Sequence, residues 1–420
     1  MRLGMISQWY DPEGGSAAVA GAICRSLAAR GHEMHVLTGF PNYPTGRVYP
    51  GYRIRRYQYE RHQDVHVHRV PLVPSHDRSA VRRAVTYLSF GASAAARPRL
   101  LRSVDAWLVY STPATAALPA LLAQARYRRP YVLLVQDLWP DTVVDSGFVR
   151  PGRLLGAAVR GIHAFCDAAY HRAAAVVVTA PGMADVIRAR GVPAGKLSVV
   201  PNWVDETVFR PVPPDPGLAR RLGLAGFVVM YAGSLGDLQG LETAIEAVRL
   251  LPDLPDLRLV FAGSGVAEPR LRAAAAGLRR VSFLGQQPPE RMAQLLALSD
   301  AQLVSLRDRP LFHATLPSKV QAALAVGRPI IGAVPGDAAR LVQRSGAGLA
   351  VPPGDAGALA GAIRRLHALG AGARAELGRT GRRYYLEHLS ARVGGAALGQ
   401  VLERAARPGG EPALVDGARA

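Results

Sequence analysis

The stretch AQLVSLRDRPLFHATLPSKVQAALAVGRPII (301–331) reads as a strand, a loop, a helix and a second strand. The strand-like run is Ala301–Ser305, the helix-like run Ser318–Val326, and Pro329–Gly332 is strand-like again. That succession is a parallel βα unit. Its loop ends in LPSK (316–319), where Ser318 is placed to cap the helix, and helix N-termini attract anions. Of the 51 basic residues only Lys196 and Lys319 are lysines. Where arginine serves nearly everywhere else, a remaining lysine marks a place that needs a compact ammonium. Two readings fit LPSK: a phosphate clamp made by Ser318 and Lys319, or a capped helix with one exposed lysine.

Working outward, the same alternation continues. In the second half, strands read at Phe227–Ala232, Leu257–Ala262, Val281–Leu284 and Gly348–Val351, with helices between them. In the first half they read at Leu3–Ser7, Glu33–Thr38, Val65–Val70, Ala106–Tyr110, Tyr131–Gln136 and Ala175–Thr179. Alternating strands and helices over 420 residues predict an α/β protein of two doubly wound domains facing one another, with ligands at the carboxyl ends of the strands. The expected domains are 1–200 and 201–390, followed by a closing helix over 391–406 and a disordered tail over 407–420. Between the halves, 191–216 holds a short strand and then Pro201, Pro211, Pro213, Pro214 and Pro216, a density that stops helices.

Several loops at strand ends carry small or polar residues. Gly14-Gly15-Ser16 follows the first strand and opens a helix; it allows close backbone approach to a ligand, or simply a tight turn. It is not GxGxxG, and no acidic residue stands at the dinucleotide position. Gly233-Ser234-Leu235-Gly236, then Gln239, follow one strand of the second half, and Gly263-Ser264-Gly265 follows the next. With LPSK they would line one crevice. VQDLWPD (135–141) puts Asp137 at a strand end, where a carboxylate can orient a hydroxyl or take its proton; Asp141 can cap a turn, and Trp139 can pack.

Other classes are disfavoured. No Asp-x-Asp pair and no His/Cys cluster at metal spacing occurs, so no protein-held metal or cofactor is expected. No Gly-x-Ser-x-Gly elbow suggests a hydrolase. Cys24 and Cys166 read as two buried thiols in a reducing compartment. The N-terminus MRLGMIS opens a strand rather than a signal peptide, and no apolar run suffices to span a bilayer. The net charge is +20, and 47–102 alone carries twelve arginines against Glu60, Asp64 and Asp77. Within it, 78–102 mixes arginines with Val81, Val85, Tyr87, Leu88 and Phe90, a basic amphipathic pattern that suits an anionic membrane surface or a helix covering the sheet. No nucleic-acid reading motif accompanies the charge, so nucleic acid is not an expected partner.

Taken together, these residues resemble the retaining family-4 glycosyltransferases of GT-B fold, in the branch that builds bacterial exopolysaccharide, O-antigen and colanic acid. The stretches that carry the resemblance are WYDPEGGSAA (9–18), LTGFPNYPTGRVYPGY (37–52), HVHRVPLVPSHDRSAVRRAVTYLSF (66–90), VQDLWPD, VVDSGF (143–148), VPNWVDE (200–206), YAGSLGDLQGLE (231–242), FAGSG (261–265) and LPSKVQAALAVGRPII (316–331). The resemblance implies two Rossmann-like domains around a central cleft, a nucleotide-sugar donor held by the C-terminal domain and a lipid-linked saccharide acceptor met by the N-terminal one. It implies metal-independent transfer with retention, and a cytoplasmic protein peripheral to the inner face of the membrane. Lys319, Ser318 and the Gly14-Gly15 turn would then stabilise the departing diphosphate, Asp137 would serve the acceptor hydroxyl, and Gly233, Ser234, Gly263 and Gly265 would shape the nucleotide pocket.

The chain departs from the family in two places. Ser234 and Gln239 stand where many members have an arginine and a lysine. Ala314 and Ala322 stand where many have glutamates, leaving ribose recognition to a neighbour such as Gln321. A uridine donor, with a deoxy or N-acetylated sugar, is the favoured expectation. A GT-B nucleotide-sugar epimerase and a non-catalytic scaffold subunit of a polysaccharide assembly complex are the alternatives.

Overall fold

The computed structural model describes residues 1–14, 17–75, 79–141 and 153–407. These residues form two compact units: Met1–Asn202 with the chain from Gly394 onward, and Trp203–Val393.

The first unit is built on an eight-stranded sheet of β1 (Arg2–Ile6), β2 (Glu33–Gly39), β3 (Gln58–His62), β4 (Val65–Val70), β5 (Ala106–Tyr110), β6 (Tyr131–Val135), β7 (Ala175–Val178) and β8 (Leu197–Val199), in the order β3-β4-β2-β1-β5-β6-β7-β8. All pairs are parallel except β3 with β4. AWLVY of β5 and YVLLV of β6 are buried at every residue, because a central parallel strand is covered on both faces. β3 (QYERH) was not legible in the sequence. It lies at the sheet edge, never fully buried, and joins β4 through the two-residue turn Gln63-Asp64, with Gln63 at φ 53°.

The second unit holds β9 (Phe227–Ala232), β10 (Leu257–Ala262), β11 (Val281–Gly285), β12 (Ala301–Ser305), β13 (Ile330–Ala333) and β14 (Gly348–Val351), in the order β11-β10-β9-β12-β13-β14. Every pair is parallel. Alternation along β9 divides the core. Phe227, Val229 and Tyr231 pack with Ile245, Val248, Ile363 and Leu366 on one face. Val228 and Met230 pack with Val260, Leu295 and Leu296 on the other. In each sheet the order turns back beside the first strand, at β1/β5 and at β9/β12, and ligands favour the carboxyl ends at such switch points.

The helices depart from the sequence reading where proline stands. The basic amphipathic pattern of 78–102 is broken into a helix over Ala80–Ala95 and a separate short helix over Pro98–Leu101. Within the proline-rich connection a helix forms over Pro216–Arg221, and another over Pro310–His313. Each has its proline in the first turn, where no amide hydrogen is required, and Asp215 caps the former by accepting from Gly217 N at 2.7 Å. The helix over Ala391–Ala406 lays Gly395 against Ser26 and Gly399 against Leu27 and Arg30, so it packs on the first unit's helix Ala17–Ala28. The expected tail lies, from residue 408, outside the described residues. Cys24 and Cys166 are both free and buried.

Candidate functional site

In the second unit, three loops meet at the carboxyl ends of neighbouring strands. Gly233, after β9, has φ 137° and donates its N–H to Ala262 O at 2.8 Å; Gly263, after β10, has φ 148° and donates to Gly285 O at 2.8 Å. A Cβ on Gly263 would overlap the carbonyl of Gly233, so the two loops touch backbone to backbone, and only glycine fits both the torsion and the space. Leu235 N donates to Ser264 O at 2.9 Å and completes the seam. The loop continues into a 3₁₀ turn, Asp237–Gln239. There Gln239 Oε1 accepts from Gly236 N at 3.1 Å, Ser305 Oγ donates to Gln239 O at 2.6 Å, and Arg270 bridges Asp237 (2.8 Å) and Glu242 (2.5 Å). Gln239 is therefore engaged in holding its own loop. Ser234 and Gly265 are exposed.

Lys319 rises into this seam from the third loop. A Cβ on Gly233 would sit 2.5 Å from its Cε, and its Nζ lies 5.2 Å from the centroid of the Tyr231 ring. The Tyr231 hydroxyl donates to Ser234 O at 2.7 Å, which fixes the ring. Lys319 has no hydrogen bond or ion pair among the described residues, and burial lowers the pKa of its ammonium. The other lysine differs. Lys196 Nζ donates to His171 O (2.9 Å) and Ala173 O (3.1 Å), serving the C-terminus of the helix over Arg153–Arg172. One lysine thus has a structural duty, and the other is a half-buried cation without a counter-charge among the described residues. Ser318 does not cap the helix. Pro317 takes the extended N-cap position at φ −68° and ψ 134°, no side chain caps the terminus, and Ser318 is the exposed first residue of the helix over Ser318–Val326. Gln321 is 2% exposed, Ala314 is buried, and Ala322 packs against the adjoining core, so no carboxylate stands at either alanine.

In the first unit, Asp137 follows β6 and accepts from Thr112 Oγ1, after β5, at 2.8 Å. Burial raises its pKa, which the Thr112 bond partly opposes. Beside it runs a chain of half-buried aromatic rings. Trp139 meets Tyr87 edge-on (5.9 Å, 81°), Tyr87 meets Trp9 edge-on (6.3 Å, 83°), and Trp9 meets Tyr43 at 5.2 Å. The loops that carry Trp9 and Tyr43 are fastened by Glu13, only 2% exposed, whose carboxylate accepts from Tyr10 N (3.0 Å), Asn42 N (2.7 Å) and Tyr43 N (2.7 Å). Asp141 is occupied by Arg190 at 2.5 Å. Gly14 is exposed with open space where a Cβ would stand; Gly15 and Ser16 lie outside the described residues. The sequence reading missed Tyr231, Thr112, Glu13 and the aromatic chain. For Tyr231 the signal was present, since strand alternation aims it at the same face as Phe227 and Val229.

Two family descriptions match the chain: "Glycosyl transferase 4-like domain" over residues 14–203, and "Glycosyl transferases group 1" over 226–368. A relative named for colanic acid biosynthesis, the glycosyl transferase WcaI of Escherichia coli, is 31% identical over 333 residues, covering 76% of this chain and 79% of its own. The chain belongs to the glycosyltransferases of this family. A second relative of this glycosyltransferase, a GDP-mannose-dependent alpha-mannosyltransferase of Mycobacterium tuberculosis, is 27% identical over 84% of the chain and 85% of its own. Among solved structures, HepE of Anabaena in complex with UDP superposes with a TM-score of 0.68 at 17% identity, over 96% of this chain and all of that one. The glycosyltransferase therefore has the GT-B fold.

Proposed function

We propose that this glycosyltransferase moves a sugar, with retention of configuration, from a uridine-diphosphate donor to a lipid-linked saccharide. One observation carries the reading: Lys319, a half-buried ammonium with no acidic partner among the described residues, stands at an uncapped helix N-terminus against the Gly233/Gly263 seam. A departing diphosphate is the counter-charge that such a cation and helix end favour, and no metal is needed for that stabilisation. Ser318 and the exposed Ser234 would add hydroxyl contacts, Gly233, Gly263 and Gly265 would let the nucleotide approach the backbone, and Gln321 and Gln239 would line the pocket. Asp137 would orient or deprotonate the acceptor hydroxyl, with the aromatic rings offering faces to its sugar.

An acceptor on a lipid needs an enzyme at the membrane. Along the helix Ala80–Ala95, Val81, Val85 and Leu88 are 72%, 44% and 56% exposed at helical spacing, with Arg82 and Arg83 beside them and Arg97, Arg99 and Arg102 following. Arg78 lies outside the described residues. Among the described residues no helix is long and apolar enough to cross a membrane. We place the enzyme on the cytoplasmic face as a peripheral protein held through this stripe.

A guanosine donor is the second reading, favoured by the GDP-mannose-dependent relative; HepE, solved with UDP, favours uridine. A thermal-shift screen with UDP, GDP and NAD separates them. A ligand at 100 times its Kd stabilises a fold by about 2.7 kcal/mol. A shift with UDP alone supports the reading, and a shift with GDP alone changes the donor base. No shift with any nucleotide contradicts both and favours the scaffold.

A further inference from the structure

Five of the eleven histidines lie between residues 32 and 68. Three of them meet on one face of the first sheet, near its β3 edge. The β2–β4 register sets His35 beside His66, and the β4–β3 register sets His68 beside Tyr59. Alternation adds Glu33, two residues before His35, to the same face. The His35 ring stacks on His66 at 4.7 Å and 13°, and lies 5.4 Å from His68 at 17°. One ligand atom from each of Glu33, His35 and His66 falls within 4.8 Å of the others.

The remaining ring nitrogens are already tied. His66 Nδ1 pairs with the Tyr59 hydroxyl at 2.8 Å, His35 Nδ1 with His68 Nε2 at 3.1 Å, and His68 Nδ1 with the Tyr57 hydroxyl at 2.7 Å. Such outer bonds fix which nitrogen of a ligand imidazole carries its proton and which faces a metal. His66 Nε2 makes no hydrogen bond among the described residues, and neither does Glu33 Oε2. Oε1 accepts from Arg2 (Nη2, 2.9 Å; Nε, 3.1 Å) and shares a proton with His35 Nε2 at 2.9 Å.

We propose that Glu33, His35 and His66 form a binding site for a divalent transition-metal ion of the zinc class. Two imidazoles and a carboxylate select zinc, cobalt, nickel or copper over magnesium or calcium. On binding, His35 turns Nε2 to the ion and holds its single proton at Nδ1, donated to His68 Nε2, while His68 in turn donates Nδ1–H to the Tyr57 oxygen. Three protein ligands leave a fourth position open to water. Glu33 is the first residue of β2 and Gly39 the last, so at about 3.3 Å per residue the site lies roughly 20 Å from the loop at that strand's carboxyl end. The ion would clasp β2 to β4 and brace the edge hairpin, apart from the chemistry. The ligands are 31 residues apart in sequence at their nearest across strands (His35 to His66), a separation in which no metal spacing is visible.

The test uses the full chain, free of any affinity tag and stripped with chelator. Cobalt(II) is titrated in and followed by its visible absorption, then displaced with zinc, in the natural protein and in His66→Gln, Glu33→Gln and Tyr59→Phe. The first two change half-buried or exposed side chains, and the third removes only an outer hydroxyl, so a folded protein is available for each comparison. We expect one saturable cobalt equivalent per chain, displaced by zinc and weakened about tenfold or more in each variant. No saturable absorption, or binding unchanged in all three variants, overturns the site.

Discussion

Lys319 and Gly233 are fitted to one another. The ammonium stem passes where a Gly233 Cβ would stand, at 2.5 Å from Cε, over the face of Tyr231. Arginine would have to bring a planar, bulkier head along the same path, so Lys319→Arg should restore little of the activity that Lys319→Ala loses. Removing one donor from a preorganised anion site costs about 100- to 1,000-fold in turnover, and steady-state kinetics on the two variants measures it. At Asp137, burial lifts the carboxyl pKa above its ordinary 3.8. A carboxylate that serves the acceptor hydroxyl must be ionised, so kcat/KM should fall as pH drops through that raised value. The acid limb should disappear in Asp137→Asn, whose residual rate is low and flat; an unchanged limb would assign it to another group. Gly263→Ala combines a backbone at φ 148° with overlap on the Gly233 carbonyl. It should cost about 2–3 kcal/mol in urea unfolding, far more than an exposed alanine would.

Elements were legible where burial dictated them. The central strands of both sheets announce themselves as apolar runs, because strands covered on both faces hold little that is polar; the edge strands β11 and β14 are half-buried yet still short and apolar enough to read. β3 did not, since QYERH is an edge strand whose place depends on pairing with β4 and on a turn at Gln63. The prolines of the connection were read as stops, yet Pro216 begins a short helix, as Pro98 and Pro310 do elsewhere. The site was legible in part: glycines after strands and a rare lysine are local signals. Thr112 beside Asp137, Tyr231 beneath Lys319 and the Tyr43–Trp9–Tyr87–Trp139 rings are products of register and of loops distant in sequence. The helix Ala80–Ala95 carries its own prediction. Because Leu88 and Val85 are exposed, Leu88→Asp with Val85→Asp should leave the melting temperature within a degree or two while reducing binding to anionic phospholipid vesicles about tenfold or more. Vesicle binding equal to that of the natural protein would remove the stripe from the membrane.

At the scale of the molecule, we propose that the two Rossmann-like units divide the labour. The second concentrates what a nucleoside diphosphate requires: backbone approach at two glycines, a helix N-terminus and a cation unpaired among the described residues. The first presents a carboxylate, aromatic faces and a basic, apolar flank. With alanine at 314 and 322, the proposed donor site leaves the ribose to other contacts and the diphosphate to Lys319. The most direct measurement is calorimetric titration of UDP and of uridine into the natural protein and into Lys319→Ala. If Lys319 holds the diphosphate, the variant binds UDP about 10- to 100-fold more weakly and uridine as well as before. Equal UDP affinity in the two proteins would contradict the account.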